Sequence, residues 1–235
     1  MSQHIKLGIS PDIFELVPGY RRATVVAIGL KNGPSDKALQ ELLGREIEAV
    51  RQKLAVDEPQ LIAWREAFQQ VGIKPKKFRP SIDALVRRIL NGGVVPSIST
   101  VVDIGSLLSL RHMLPCGAHS LNDVRRELVL RPAAGSEQFT AFGTDESEPV
   151  ARGEIIFTDG DAVATRQWAW RQGEHTIIRP STTAFELNID ALAGVADQEL
   201  KAIIADACDV IKEFLGVEPT VYQLNKEVPF AWLAP

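Results

Sequence analysis

The stretch from Lys74 to Asp123, KPKKFRPSIDALVRRILNGGVVPSISTVVDIGSLLSLRHMLPCGAHSLND, decides the fold class. Its first six residues are a basic loop stiffened by Pro75 and closed by Pro80. Ser81 then reads as an N-cap, its hydroxyl placed to accept a first-turn N–H. Asp83 suits the positive end of the helix dipole, and Asn91-Gly92-Gly93 ends that helix. Ser99 to Met113 is mostly apolar, with Val102, Leu107, Leu110 and Met113 at helical spacing, and reads as a buried helix. Pro115-Cys116-Gly117-Ala118-His119 is a turn, and after it the texture changes to short strands.

Upstream, Lys6–Ser10 and Thr24–Leu30 read as strands. Asp36–Leu54 and Pro59–Val71 read as amphipathic helices, the second with proline in its first turn. Downstream, 127–131, 138–142, 154–158, 162–170, 175–179 and 184–189 carry strand patterns. Asp159-Gly160-Asp161 turns one of these into the next as a hairpin. Glu199–Leu215 reads as a further amphipathic helix. Helices first and strands later predict an α+β fold, with helices packed on a mainly antiparallel sheet.

The chain has 235 residues, 45% hydrophobic and 24% charged, with a formal net charge of -4. That is one large domain or two small ones with a substantial core. A protein gripping a long duplex by its phosphates would be basic, so any RNA contact must be local. Cys116 and Cys208 form no framework and read as reduced intracellular thiols. The N-terminal MSQHIKLGISPDIF has no signal-peptide pattern, and no window approaches the ~20 apolar residues that span a bilayer. The expectation is a cytoplasmic protein with no membrane partner.

Several constellations carry chemistry, each beside a plainer reading. Lys74, Lys76, Lys77 and Arg79 precede a helix start, with Arg87 and Arg88 following, a place that suits phosphates; the plainer reading is a solvated patch. His112, Cys116 and His119 lack a zinc spacing, so neither a metal nor a cofactor is expected. Cys116 next to His119 could be a nucleophile, but a thiol in an apolar stretch is more simply a small buried hydrophobe. Glu154 opens a strand and could orient a substrate or activate water, or merely face solvent. Trp168 and Trp170, read as i and i+2 of one strand, could stack an adenine or fill the core.

In order along residues 60 to 215 stand the 74–79 loop before Ser81-Ile82-Asp83-Ala84-Leu85, Val102-Asp103-Ile104, Pro115-Cys-Gly-Ala, Gly153-Glu154-Ile155-Ile156 and Arg166-Gln167-Trp168-Ala169-Trp170-Arg171-Gln172. This ordered set resembles the B3/B4 domain of the phenylalanyl-tRNA synthetase beta chain in freestanding form. The resemblance implies the B3/B4 fold, with residues 1–235 as a single such domain carrying an N-terminal α/β extension over about 1–60. It implies a pocket that binds the aminoacylated 3′ end of tRNA and hydrolyses the ester. There is too little chain for amino-acid activation, so editing or tRNA binding is implied rather than aminoacylation. Glu154 stands at the position of the family's recognition glutamate. The family turn Pro-x-His-Ala-Phe-Asp is altered: Gly117 replaces its histidine, Ser120 its aspartate, and His119 falls where the aromatic sits. Freestanding relatives often carry glycine there. The change argues against tyrosine as the rejected amino acid and against a histidine-dependent mechanism.

The leading expectation is a trans-editing hydrolase acting on mischarged aminoacyl-tRNA. Glu154 and His119 are its candidate catalytic residues. Asp103, Ser106, Gly117, Ala118 and Ser120 are the candidate substrate contacts, and Lys74, Lys76, Lys77 and Arg79 the RNA contacts. Two rivals share the same residues: a noncatalytic tRNA-binding module, and a protein that binds a small molecule such as a free amino acid.

Overall fold

The computed structural model describes residues 4–53 and 57–233. In chain order the elements begin β1 (Ile5–Ile9), α1 (Pro11–Leu16), β2 (Arg21–Ile28), α2 (Lys37–Lys53), α3 (Pro59–Gln70), α4 (Ser81–Leu90) and α5 (Thr100–His112). Short strands follow: β3 (Cys116–Ser120), β4 (Glu127–Pro132), β5 (Gln138–Thr140), β6 (Ser147–Pro149), β7 (Ile155–Asp159), β8 (Ala162–Arg166) and β9 (Arg171–Gln172). The chain then runs through a 3₁₀ turn (Glu174–Thr176), β10 (Ala184–Ala191), α6 (Asp197–Leu215), β11 (Thr220–Leu224) and β12 (Phe230–Leu233). Leu54, the expected last residue of the 36–54 helix, lies outside the described residues.

The strands form two sheets. The larger runs β12-β1-β4-β7-β8-β5-β6, with β9 paired to β8, and the smaller runs β11-β2-β10-β3. Pairing is antiparallel except between β1 and β4 and between β5 and β8. The fold is therefore α+β with mainly antiparallel strands. Residues before 60 are woven into both sheets: β1 lies between β12 and β4, and β2 between β11 and β10. β2 and β10 read as near-continuous buried runs. The smaller sheet carries helices: α5 packs against β3, and α6 against β2 and α5. Gly105 of α5 makes the α5–β3 approach possible, since a Cβ there would stand 3.3 Å from the Cys116 carbonyl oxygen.

Four expected features differ in the structure. Ser81 is the first residue of α4 rather than its cap; its backbone N–H donates to the Ala169 carbonyl at 2.8 Å, so the neighbouring chain replaces the side-chain cap. The 115–119 turn is instead the bend into β3, which pairs antiparallel with β10. The 162–170 strand stops at Arg166, because Gln167 and Trp168 adopt positive φ values of 46° and 65°. Trp168 and Trp170 therefore do not share a strand face. The 175–179 strand is a 3₁₀ turn that ends in Thr176, whose side chain is fully buried.

Candidate active site

A concave chamber lies between the bend at Pro115, the N-terminus of α4 and the 166–172 segment. It consists of two hollows with cavity volumes of about 180 and 270 Å³ that share Ser81, Cys116, Gly117 and Gln172 as walls. The first is lined by Phe157, Trp168, Trp170, Arg22, Asp190 and Asn188, among others. The second is walled by Leu85, Val102, Gly105, Ser106 and Ala118, and holds no charged side chain. Gln172 ties the walls together: its Nε2 donates to the carbonyls of Ala118 at 3.0 Å and Thr176 at 2.8 Å.

The floor of the first hollow is a buried charged network on β2 and β10, where Arg22 and Asp190 are register partners. Arg22 donates through Nε to Asp190 Oδ1 at 2.6 Å and through Nη2 to Oδ2 at 3.2 Å. The Tyr20 hydroxyl donates to the same Oδ1 at 2.6 Å and accepts from Trp168 Nε1 at 3.4 Å. Trp168 in turn stacks on Phe68 at 5.5 Å and meets Trp64 edge-on at 5.1 Å. Aromatic packing from α3 thus fixes the turn that forms the hollow's wall. Burial works against the Arg22 charge, while Asp190, Tyr20 and Glu186 work for it. The balance holds the guanidinium above its ordinary pKa. Its Nη1 is buried and has no hydrogen-bond partner among the described residues.

The sequence-chosen residues divide into two groups. Gly117, Ala118 and Ser106 line the second hollow, and Gly117 and His119 line the first. His119 has both ring nitrogens engaged: Nδ1 meets Glu186 Oε1 at 2.8 Å and Nε2 meets Thr165 Oγ1 at 2.8 Å. It is a wall residue braced on both sides, with the donor in each contact set by the ring's tautomer. Glu154 lines neither hollow. It is buried away from both hollows, and its carboxylate accepts from Arg166 Nε and Nη2 at 2.8 Å each and from the Gln167 N–H at 3.3 Å. That bidentate clamp bends the chain out of β8 and so shapes the wall from behind. Asp103 also stands apart; it accepts from Ser35 Oγ at 2.6 Å, Ile98 N–H at 3.0 Å and Ser97 Oγ, tethering the loop before α5. Ser120 is buried beside Thr182 and Asn122, outside both hollows.

Cys116 is no nucleophile in this setting. Burial pushes its thiol up to about 12, far from the range where a thiolate forms at neutral pH. His112 is drawn to Asp206 at 2.7 Å and His119 to Glu186, so the two histidines do not converge with Cys116. Among the described residues there is no group of three or more His, Cys, Asp and Glu side chains able to hold a metal ion.

The basic loop reaches the chamber's rim. Phe78 packs edge-on against Trp170 at 4.7 Å, and Lys77 Nζ lies 4.9 Å from the centroid of the Phe78 ring. Lys74, Lys76 and Lys77 are exposed and Arg79 is half-buried. Arg87 is not part of this cationic face, because it pairs with Asp83 at 3.2 Å. Arg22, Asp190 and Tyr20 were missed in the sequence. The only signal available was a charged residue at each end of two apolar strands, which becomes meaningful once those strands are paired.

A family model described as the B3/4 domain matches residues 63–216. No curated protein matches the sequence. One similar solved structure is an N-terminal fragment of the phenylalanyl-tRNA synthetase beta-subunit from Pyrococcus horikoshii, 8% identical, with a TM-score of 0.46. The match covers 94% of this chain and 54% of that fragment, so the chain spans about half of its length. Among the described residues no helix is long and apolar enough to cross a membrane.

Proposed function

From the premise that the chain belongs to the B3/4 domain family, we propose that it is a trans-editing hydrolase that cleaves the ester of mischarged aminoacyl-tRNA. The observation that carries this reading is the pair of hollows joined at Cys116 and Gly117 with a basic loop at their rim. An aminoacylated adenosine has two parts of different character, an acyl group and a nucleoside, joined at the ester. The first hollow suits the acyl group, having aromatic walls and a polar floor. The second lies beside it and takes the adenosine, with the ester at Gly117, where no side chain intervenes. Lys74, Lys76, Lys77 and Arg79 then lie where the phosphates of the acceptor end would pass.

Catalysis in such a site rests on placement. An aminoacyl ester is reactive, and holding it and a water in attack geometry supplies much of the acceleration. Water adds to the carbonyl carbon, the C–O bond to the ribose breaks, and the ribose oxygen takes a proton. The neighbouring ribose hydroxyl of the tRNA is available to carry that proton. His119 braces the wall through Thr165 and Glu186.

A panel of mischarged tRNAs incubated with the protein tests the reading. Deacylation of at least one, well above the buffer rate, is the expected result. Binding of tRNA without turnover on any member would favour the noncatalytic module, a reading supported by the engagement of both His119 nitrogens. Thermal stabilisation by a free amino acid without RNA would favour the small-molecule reading.

A further inference from the structure

We propose that Arg22 holds the acyl carbonyl oxygen of the substrate in the first hollow and so fixes the ester for attack, an assignment that rests on reading the chamber as an aminoacyl-ester site. Arg22 lies on β2, outside the 63–216 segment matched by the family model. It is 3% exposed and lines the hollow. Its guanidinium carbon stands 4.7 Å from the centroid of Phe157, another wall of the same hollow. Nε and Nη2 are committed to Asp190, and Nη1 has no acceptor. A buried donor left unpaired is destabilising, and a ligand oxygen would remove that penalty.

The surroundings of Arg22 select the ligand. Asp190 already balances its charge, and Glu186 adds to the negative field around it. What the guanidinium lacks is an acceptor, not a counter-ion. A phosphate or a free carboxylate would bring a second anion beside Asp190 in a site of low dielectric. A neutral carbonyl oxygen brings none. An aminoacyl ester offers that oxygen, while a free amino acid offers a carboxylate, so the floor distinguishes substrate from product. When water attacks, the new C–O bond forms as the carbonyl π pair moves to the oxygen whose position Nη1 has fixed. Collapse expels the ribose oxygen, which takes one proton of the added water; the other passes to solvent as the carboxylic acid ionises. The freed carboxylate is then disfavoured beside Asp190 and leaves.

The test uses the full chain and two nucleosides. One is 3′-aminoacylamino-3′-deoxyadenosine, whose amide keeps the carbonyl; the other is the same molecule with that carbonyl reduced to methylene. Wild type is expected to bind the amide about tenfold or more tightly. Arg22→Lys is expected to erase that preference and lower single-turnover deacylation by a similar or larger factor, while affinity for the methylene compound stays the same. Equal wild-type affinities for the two nucleosides would overturn the assignment while leaving the chamber reading intact, and this holds even where the variant does not fold. A folded Arg22→Lys protein that kept the preference would overturn it as well. Free amino acid bound as tightly as the amide would remove the neutral-acceptor argument. Binding of neither nucleoside would instead bring down the chamber reading itself, and Arg22's role with it.

Discussion

Gly117 and Gly173 show how one residue type serves opposite ends at two positions. Gly117 is exposed on the shared wall of the two hollows, and a Cβ there would have its nearest neighbour, His119 Cε1, 4.0 Å away. It lies on the edge strand β3, which accepts β-branched residues. Gly117→Val should therefore change stability by under about 0.5 kcal/mol. Its side chain would enter the chamber where the ester is proposed to sit, so deacylation should fall by about tenfold or more. Gly173 is the contrast: a Cβ would stand 2.6 Å from the Val163 carbonyl oxygen and 3.1 Å from Phe139. Gly173→Ala should cost about 1–3 kcal/mol through overpacking. Paired melting and single-turnover measurements check both. A destabilised Gly117→Val, or one with full turnover, would contradict the open-wall geometry. The place of Gly117 on a pocket wall was suggested by the altered turn motif. That of Arg22 was not, because an arginine pair at a strand start gives no sign of the aspartate that will stand opposite Arg22 on β10.

At the scale of elements, the sequence showed α2 to α6 and most of the strands but not α1, and at 166–168 it misled because a distant carboxylate re-routes the chain. The 162–170 run alternates like a strand, yet Glu154 draws Arg166 and the Gln167 N–H, and the Trp168 N–H donates to the Ile155 carbonyl at 2.7 Å. Period-2 patterning cannot register a bond made across twelve residues. Asp159 was legible only as a turn former of the β7–β8 hairpin. In the structure its carboxylate also accepts the N–H groups of Arg125, Arg126 and Glu127 at 2.7 to 3.2 Å, and it meets His175 Nε2 at 3.0 Å. It thereby locks the entry to β4 against the hairpin. Burial raises its pKa, but the His175 hydrogen bond and the three backbone donors prevail and lower it to about 2. The folded value lies below the unfolded one of about 3.9. The contribution is therefore full above about pH 5 and is lost as the pH falls through 4 towards 2. Asp159→Asn should destabilise the protein at pH 7 by on the order of 2 kcal/mol. The gap between variant and wild type should close in denaturant titrations run towards pH 2; a gap independent of pH would exclude this linkage.

At the scale of the whole molecule, charge and shape must be reconciled. The chain carries a formal charge of -4, unlike proteins that bind long duplexes through their phosphates. Its exposed Lys74, Lys76 and Lys77 are gathered on one loop, which is anchored to the chamber's rim by Phe78 against Trp170. Such a layout suits a partner that touches the protein at one end, as an acceptor terminus would, while the acidic remainder repels the rest of the polyanion. The two halves of the site then separate experimentally. Lys76→Ala with Lys77→Ala should weaken tRNA binding and flatten its salt dependence, by a slope change of about 0.7 to 0.9 for each phosphate that the loop no longer neutralises. Hydrolysis of a minimal substrate, aminoacyl-adenosine without the tRNA body, should be unaltered, because neither lysine lines the two hollows. Equal reductions on tRNA and on the minimal substrate would mean that the loop shapes the chamber rather than binding phosphate. An unchanged salt slope would remove the loop from the RNA interface altogether. The basic loop and its helix were readable from the sequence because both are local. Their meeting with the 166–172 turn was not, since it depends on residues about ninety positions apart being packed by aromatic rings.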